Sequence, residues 1–388
     1  MSSPASLTLP RALRVGGGTV SLLPSLLAEL GITRPLIVTD PFLGSNPLLR
    51  AVLDPLEAAG VAAAVFSETV SDPTDTVIEA GARRLVEGEH DGMIGFGGGS
   101  PIDTAKGMAI LAANGGKMRD YKVPNPIPKA GVPLVAIPTT AGTGSEVTRF
   151  TVVTDTETDE KMLIAGPTLV PMGAIVDFEL TMKLPARLTA DTGIDALVHA
   201  VEAYVSKKRN KVAAMYALDA MPRLAHNLRP AFTNPSDRAA REEMMLGATH
   251  AGIAFSTSSV ALVHGMSRPL GAHFHVHHGM SNAMLFPAVT AFSIPEASAE
   301  YADCARAMGW ASGADSDEAA GRRLVEGLEA LNRDLSVPTL REHGVPEDRY
   351  RSIMELMAEQ AIGSGSPNNN PRVPSKDEIV KLYDQIYV

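Results

Sequence analysis

The chain has 388 residues, 34 Lys and Arg against 44 Asp and Glu for a net charge of −10, 45% hydrophobic residues and one cysteine. This is enough apolar content for two ordinary cores, which excludes a disordered chain and a disulfide scaffold, while the acidic balance gives no basic field for a nucleic-acid backbone. The lone Cys304 can form neither an intramolecular disulfide nor a cysteine-rich metal site, so a metal would have to be bound by carboxylates and some of the ten histidines.

The first fifteen residues lack a basic segment followed by a long apolar stretch, and no apolar run approaches the ~18–20 residues that span a bilayer, so a cytoplasmic protein without membrane or nucleic-acid partners is expected. From residue 36 the pattern alternates: an apolar run at 36–39, an amphipathic stretch at 48–59, then 63–66, 76–86 and 92–96. Short Val/Ile-rich runs bounded by Gly, Asp and Pro predict parallel strands buried on both faces, with the amphipathic stretches as crossover helices. A further strand at 132–137 ends in the Thr/Gly-rich turn 139–146. Beyond Leu184-Pro185 the strand signal stops, and helices are predicted at 190–206 with Thr189 as N-cap, at 211–228, at 237–251 and, last, at 377–386. The expected organisation is an α/β domain with a parallel sheet over 1–183 and an all-α domain over 184–388. The polar tract 363–372 reads either as a linker or as an active-site cover.

Two stretches carry candidate chemistry. Gly97, Gly98, Gly99 and Ser100 follow a predicted strand and open a helix, with Pro101 in its first turn and Asp103 shortly after. Such a turn lets backbone N–H groups approach a phosphate at the positive end of a helix, although the spacing is not a full GxGxxG and a plain strand-to-helix turn is the other reading. Asp40 ends the strand before it, where a carboxylate either accepts from a ribose 2′-hydroxyl and repels a 2′-phosphate, or simply opens a turn before Pro41. In the second stretch, Asp195 and His199 stand at i, i+4 on an otherwise apolar helix, and five of the ten histidines fall at 264, 273, 275, 277 and 278. His264 and His278 each precede a glycine at a punctuated position. One Asp with up to three His suits Zn²⁺ or Fe²⁺; an Asp–His bond inside a core and a His-rich surface loop are the alternatives.

At these residues the sequence resembles the iron-containing (group III) alcohol dehydrogenases, whose wider fold group takes in dehydroquinate synthase. The resemblance runs through residues 36–40, 97–106, 138–148, 189–206, 262–272, 277–287 and 370–372. It implies that the first domain is a Rossmann-like dinucleotide-binding domain and the second a metal-binding one, with metal ligands at Asp195, His199, His264 and His278 and Fe²⁺, or alternatively Zn²⁺, as the ion. It also implies NAD in a cleft between the domains, held by Asp40, Gly97, Gly98, Gly99, Ser100, Asp103, Thr139, Thr140, Thr143, Ser145 and Lys161, and a homodimer or larger assembly. The implied reaction is reversible hydride transfer between a primary or secondary alcohol and the nicotinamide C4, interconverting the alcohol with its aldehyde or ketone, with the metal acting as a Lewis acid on the substrate oxygen. A maleylacetate-reductase-like NAD(P)H reductase and a metal-dependent cyclase or lyase of the dehydroquinate synthase type are the alternatives. Two positions depart from the family pattern. Arg268 replaces a histidine often proposed to relay a proton, and arginine does not deprotonate near neutral pH. His277 replaces a proline, so that His277 or nearby His275 becomes a candidate for the relay. Arg268 also suggests a substrate carrying an anion.

Overall fold

The computed structural model describes residues 5–388, which group into two compact units, Thr8–Lys183 and Leu184–Val388. In the first unit the strands are β1 (Ala12–Val15), β2 (Pro35–Val38), β3 (Ala64–Phe66), β4 (Gly92–Gly97), β5 (Leu134–Pro138), β6 (Phe150–Asp155), β7 (Glu160–Ala165) and β8 (Gly173–Val176). Its α-helices are α1 (Leu23–Leu30), α2 (Pro41–Ser45), α3 (Arg50–Ala58), α4 (Asp75–Glu87) and α5 (Gly99–Asn114). Six strands form one parallel sheet in the order β1-β8-β5-β4-β2-β3. Helices cover both faces, so β2, β4 and β5 are buried along their whole length, as continuous apolar runs require.

The chain leaves β2 for β3 on one side and then returns to β4 on the other side of β2. A crevice therefore opens beyond the carboxyl ends of β2 and β4, the switch point where doubly wound sheets bind ligands. The remaining pair, β6 and β7, forms an antiparallel hairpin outside the sheet. It was absent from the sequence reading, as were the edge strand β1 and the short β8.

The second unit is helical throughout its described residues: α6 (Ala186–Val205), α7 (Lys211–Thr233), α8 (Arg238–Thr257), α9 (Leu262–Phe274), α10 (His278–Ser293), α11 (Ser298–Ala307), α12 (Asp317–Asp334), α13 (Glu347–Gly363) and α14 (Lys376–Gln385). Helix α6 is its axis, buried without interruption from Thr189 to Val205. The expected cap at Thr189 is corrected: the helix begins at Ala186 because Thr189 N–H already bonds Pro185 C=O, at 2.9 Å, and the Thr189 hydroxyl instead accepts from the buried Arg241.

The tract 363–372 is neither a linker nor a loose cover. Asn369 bonds Ser259 and Val260, Asn370 bonds Ser293, and Gly265 lies so close to Pro367 that a side chain at 265 would meet its ring at 2.8 Å. These contacts fasten the tract to the start of α9 and the end of α10. No single helix among the described residues is long and apolar enough to cross a membrane.

Candidate functional site

In the α/β unit, β4 runs into Gly97, Gly98 caps α5, and Gly99 and Ser100 are its first residues. Gly97 has φ +147°, a region that disfavours any side chain, and a Cβ there would lie 2.6 Å from the Pro101 ring. The turn thus presents bare backbone at the N-terminus of a 16-residue helix at the switch point, the geometry that favours an anion. Thr139 follows β5 and donates its N–H to Gly97 C=O at 2.9 Å, which holds the two loops together. Thr140 stands against Gly98 with its buried hydroxyl unpartnered.

Asp40 lies at the end of β2 and caps α2, its Oδ1 accepting from Leu43 N–H at 2.8 Å; this is the turn-opening role, and it engages one carboxylate oxygen. Asp103 and Ser145 face inward. The Ser145 hydroxyl donates to Asp103 Oδ1 at 2.6 Å, and Val152 N–H donates to Oδ2 at 3.1 Å, so the pair ties the loop after β5 and the hairpin to α5. Burial raises the Asp103 pKa even though Lys106 stands nearby. Thr143 accepts from Ser145 N–H through its hydroxyl, and Lys161 on β7 forms a 3.0 Å ion pair with Asp72. As placed, Asp103, Thr143 and Ser145 shape the turn.

In the helical unit, three helices converge. Asp195 and His199 leave one face of α6 at i, i+4; His264 belongs to the first turn of α9, and His278 opens α10. One ligand atom each from Asp195, His199 and His264 lie within 4.8 Å of one another, and all three residues are buried. His278 is half exposed, yet its Nε2 also turns to the same carboxylate oxygen. The Nε2 atoms of His264, His278 and His199 stand 3.4, 3.7 and 3.9 Å from Asp195 Oδ1. A tetrahedral ion with ~2.1 Å bonds holds its donors about 3.4 Å apart, so the set fits a divalent cation. Buried Asn282 Oδ1, without a partner, is a further polar atom of this centre.

The electrostatics agree with that fit. Burial alone would raise the Asp195 pKa, but the three imidazoles hold it well below the carboxylate range. Burial would lower His264, but Glu202 and Asp195 outweigh it and raise its pKa to about 9.

Two residues with clear duties at this centre went unassigned in the sequence. Glu202, one helical turn beyond His199, accepts from His264 Nδ1 at 2.7 Å, from Ala261 N–H at 2.8 Å and from Val263 N–H at 2.7 Å. It therefore caps α9 and holds the His264 Nδ1 proton on its own carboxylate, which leaves Nε2, turned toward Asp195, as the nitrogen that can give up its proton to a metal. Asn282, one turn beyond His278, donates to Asp195 Oδ1 at 2.6 Å. Spacing was the available signal: i+3 from His199 for the first and i+4 from His278 for the second.

Comparison with known proteins decides the family. A model described as iron-containing alcohol dehydrogenase matches residues 10–178, and one for the C-terminal part of the Fe-containing alcohol dehydrogenase family matches 189–387. The chain belongs to the iron-containing alcohol dehydrogenase family. This dehydrogenase is 37% identical to the NAD-dependent methanol dehydrogenase of Bacillus methanolicus over 96% of its own length and 97% of that protein. It is 36% identical to lactaldehyde reductase of Escherichia coli strain K12 over 95% and 96% of the two chains. Among solved structures, one described as 1,3-propanediol oxidoreductase has a TM-score of 0.96 at 34% identity, covering 99% of this chain and 100% of that one. The enzyme is thus a metal- and NAD-dependent alcohol dehydrogenase, and the cyclase, lyase and maleylacetate-reductase readings are not favoured.

The three residues expected to handle substrate or protons in this dehydrogenase are placed differently from one another. His275 is exposed, in the left-handed conformation (φ 55°) that ends α9. His277, half exposed, sets Nδ1 3.7 Å from Asp191 Oδ2 and directly precedes His278. Arg268 is partly buried on α9, one turn beyond His264.

Proposed function

We propose that this dehydrogenase interconverts small primary or secondary alcohols and their carbonyl forms, with Asp195, His199, His264 and His278 holding one divalent cation and the turn at 97–100 holding the pyrophosphate of NAD. The carrying observation is the convergence of three Nε2 atoms within 3.9 Å of one carboxylate oxygen. Fe²⁺ is the ion we assign; Zn²⁺ suits the same donors and stands higher in the usual affinity order. When bound, the cation supplies Lewis acidity toward the substrate oxygen and the nicotinamide supplies the hydride acceptor.

The chain's own residues do the positioning. Glu202 and Asn282 keep the His264 tautomer and the Asp195 carboxylate in the donor arrangement. Gly97 to Ser100 offer backbone to the pyrophosphate, and Asp40, with one oxygen still available, disfavours a 2′-phosphate and so selects NAD over NADP. His277 is the better-placed proton carrier of the two candidates, because it directly precedes His278 of the candidate centre, whereas His275 ends α9 in an exposed position. We assign the α/β unit to the cofactor and the helical unit to the metal, and we expect a homodimer or larger assembly acting in the cytoplasm, where a buried thiol such as Cys304 stays reduced.

The test is NADH absorbance with a panel of alcohols, using protein reconstituted with Fe²⁺ or Zn²⁺, before and after a chelator, alongside metal analysis of Asp195→Asn and His264→Ala. Turnover that survives metal removal, or variants that retain stoichiometric metal, refutes the assignment.

A further inference from the structure

Arg268 and His264 stand at i+4 and i on α9, so their side chains leave the same face of that helix, about 6 Å apart along its axis. Among the described residues no acceptor bonds the Arg268 guanidinium and no carboxylate pairs with it. Glu202 is the carboxylate whose charge reaches it. That group is already occupied: Oε1 accepts from Val263 N–H, and Oε2 accepts from Ala261 N–H and His264 Nδ1. Turning Glu202 toward Arg268 would orphan the first turn of α9 and release His264.

The guanidinium is therefore a partly buried cation to which no carboxylate is bonded among the described residues, with Glu202, whose charge reaches it, already engaged by three donors. Burial opposes its charged form, yet an arginine remains protonated at any working pH. A partly desolvated charge that bonds no protein acceptor is unfavourable in the empty protein. Such a group persists where a ligand completes it.

We propose that Arg268 recognises an anionic substituent, a carboxylate or sulfonate, on a short hydroxy or oxo compound whose reacting oxygen is handled at the Asp195/His199/His264/His278 centre. This rests on the dehydrogenase reading and names its substrate class. The anion is a spectator in the chemistry: the carbinol carbon gives up a hydride to NAD⁺ and its hydroxyl a proton, and the carbonyl product keeps the anion. The flat fork of the guanidinium matches two oxygens at once, whereas lysine offers only a point charge. The ~6 Å rise between the two positions suits a substrate of two to four carbons.

The experiment compares wild type, Arg268→Gln and Arg268→Lys, each as the full metal-reconstituted chain. Binding of 3-hydroxypropanoate, 2-hydroxyethanesulfonate and the neutral 1,3-propanediol is measured by calorimetry without NAD⁺, so that no turnover is needed. Loss of a charge-assisted, two-pronged contact corresponds to roughly 10- to 100-fold in affinity. The anions are expected to lose that much in the Gln variant and less in the Lys variant, and the kcat/KM ratio of anionic to neutral alcohol should fall with it. The preferred anion, planar or tetrahedral, distinguishes carboxylate from sulfonate.

Thermal unfolding without ligand supplies an independent sign. Removing an unpaired cation should leave Tm the same or higher, while removing an arginine that braces the fold lowers it. Equal anion binding by wild type and the Gln variant overturns the proposal, as does a lowered Tm with anion affinity intact. Should Arg268→Gln fail to fold, the Lys variant decides by the same ratio. If no alcohol of either charge reduces NAD⁺, the dehydrogenase reading fails while the binding data still decide Arg268. If neutral alcohols react and anions do not bind, only this proposal falls.

Discussion

Replacing Glu202 by Gln tests how the helical unit builds its metal centre. Glu202 is 3% exposed and receives three hydrogen bonds. Glutamine keeps the shape and one acceptor oxygen, which can still serve Val263 N–H. The other position becomes an NH₂ that faces two donors, Ala261 N–H and His264 Nδ1–H. The imidazole can resolve its half of the conflict by moving its proton to Nε2, but Nε2 is the atom turned to Asp195, at 3.4 Å. The variant is thereby expected to convert a ligand lone pair into an N–H. Ala261 N–H is left without an acceptor, a loss of about 1–3 kcal/mol of folding stability, and disruption of a carboxylate behind a metal-binding histidine typically lowers metal affinity about 10- to 100-fold. Urea unfolding of the metal-free protein reads the first effect, and competition with a chromophoric chelator for Zn²⁺ reads the second. Wild-type metal affinity in a variant that shows the stability loss would refute the tautomer argument and leave Glu202 as a helix cap alone.

The remaining expectations follow from the same geometry. His264 has a raised folded pKa, about 9, so its ion pairs stabilise the metal-free protein fully below an unfolded value near 6.5, and that contribution fades as pH climbs through 9. Metal must displace the same proton, so Zn²⁺ affinity should rise with pH by about tenfold per unit for this one group, approaching a limit near 9; a flat profile from pH 6.5 to 9 contradicts it. Gly279→Ala would place a Cβ 2.1 Å from the Asp191 carbonyl oxygen, so α10 must shift together with His278; a stability loss of about 3 kcal/mol or more and weakened metal binding are expected, and a melting curve like wild type contradicts the close approach. Asp40→Asn keeps the α2 cap, because its Oδ1 still accepts from Leu43 N–H, but removes the charge; the NADP⁺ to NAD⁺ ratio of kcat/KM should rise about tenfold or more, and an unchanged ratio removes Asp40 from cofactor selection.

The sheet was legible where strands are buried on both faces and illegible elsewhere. Strands β2, β4 and β5 are continuous apolar runs, and no helix of useful length fits between their flanking glycines and prolines. Strand β1 reads ALRV on the sheet edge, where Arg14 reaches Glu29 and Val15 is 45% exposed, so it carries no apolar signature. Hairpin β6–β7 alternates buried and partly buried residues but turns at 156–159 without Gly or Pro, which hides the turn from a search for breakers. Helix α6 was readable, whereas its first residue was not: Thr189 is a good cap by type, but the backbone of Pro185 had already accepted its N–H.

At the candidate metal centre, the convergence of Asp195, His199 and His264 was readable because helical spacing places Asp195 and His199 together and glycines punctuate His264 and His278. Glu202 and Arg268 illustrate what spacing alone cannot provide. Each stands one helical turn from a ligand, one acidic and one basic, and pairing them with each other would be the simplest inference from charge. The packing of α6 against the first turn of α9 rules this out. Three donors at the start of α9 surround the Glu202 carboxylate, and a helix N-terminus favours a negative charge there over any alternative partner. Holding His264 in this way therefore occupies Glu202, the carboxylate whose charge reaches Arg268. A cation left one helical turn from His264 is thus a consequence of how this cluster is assembled.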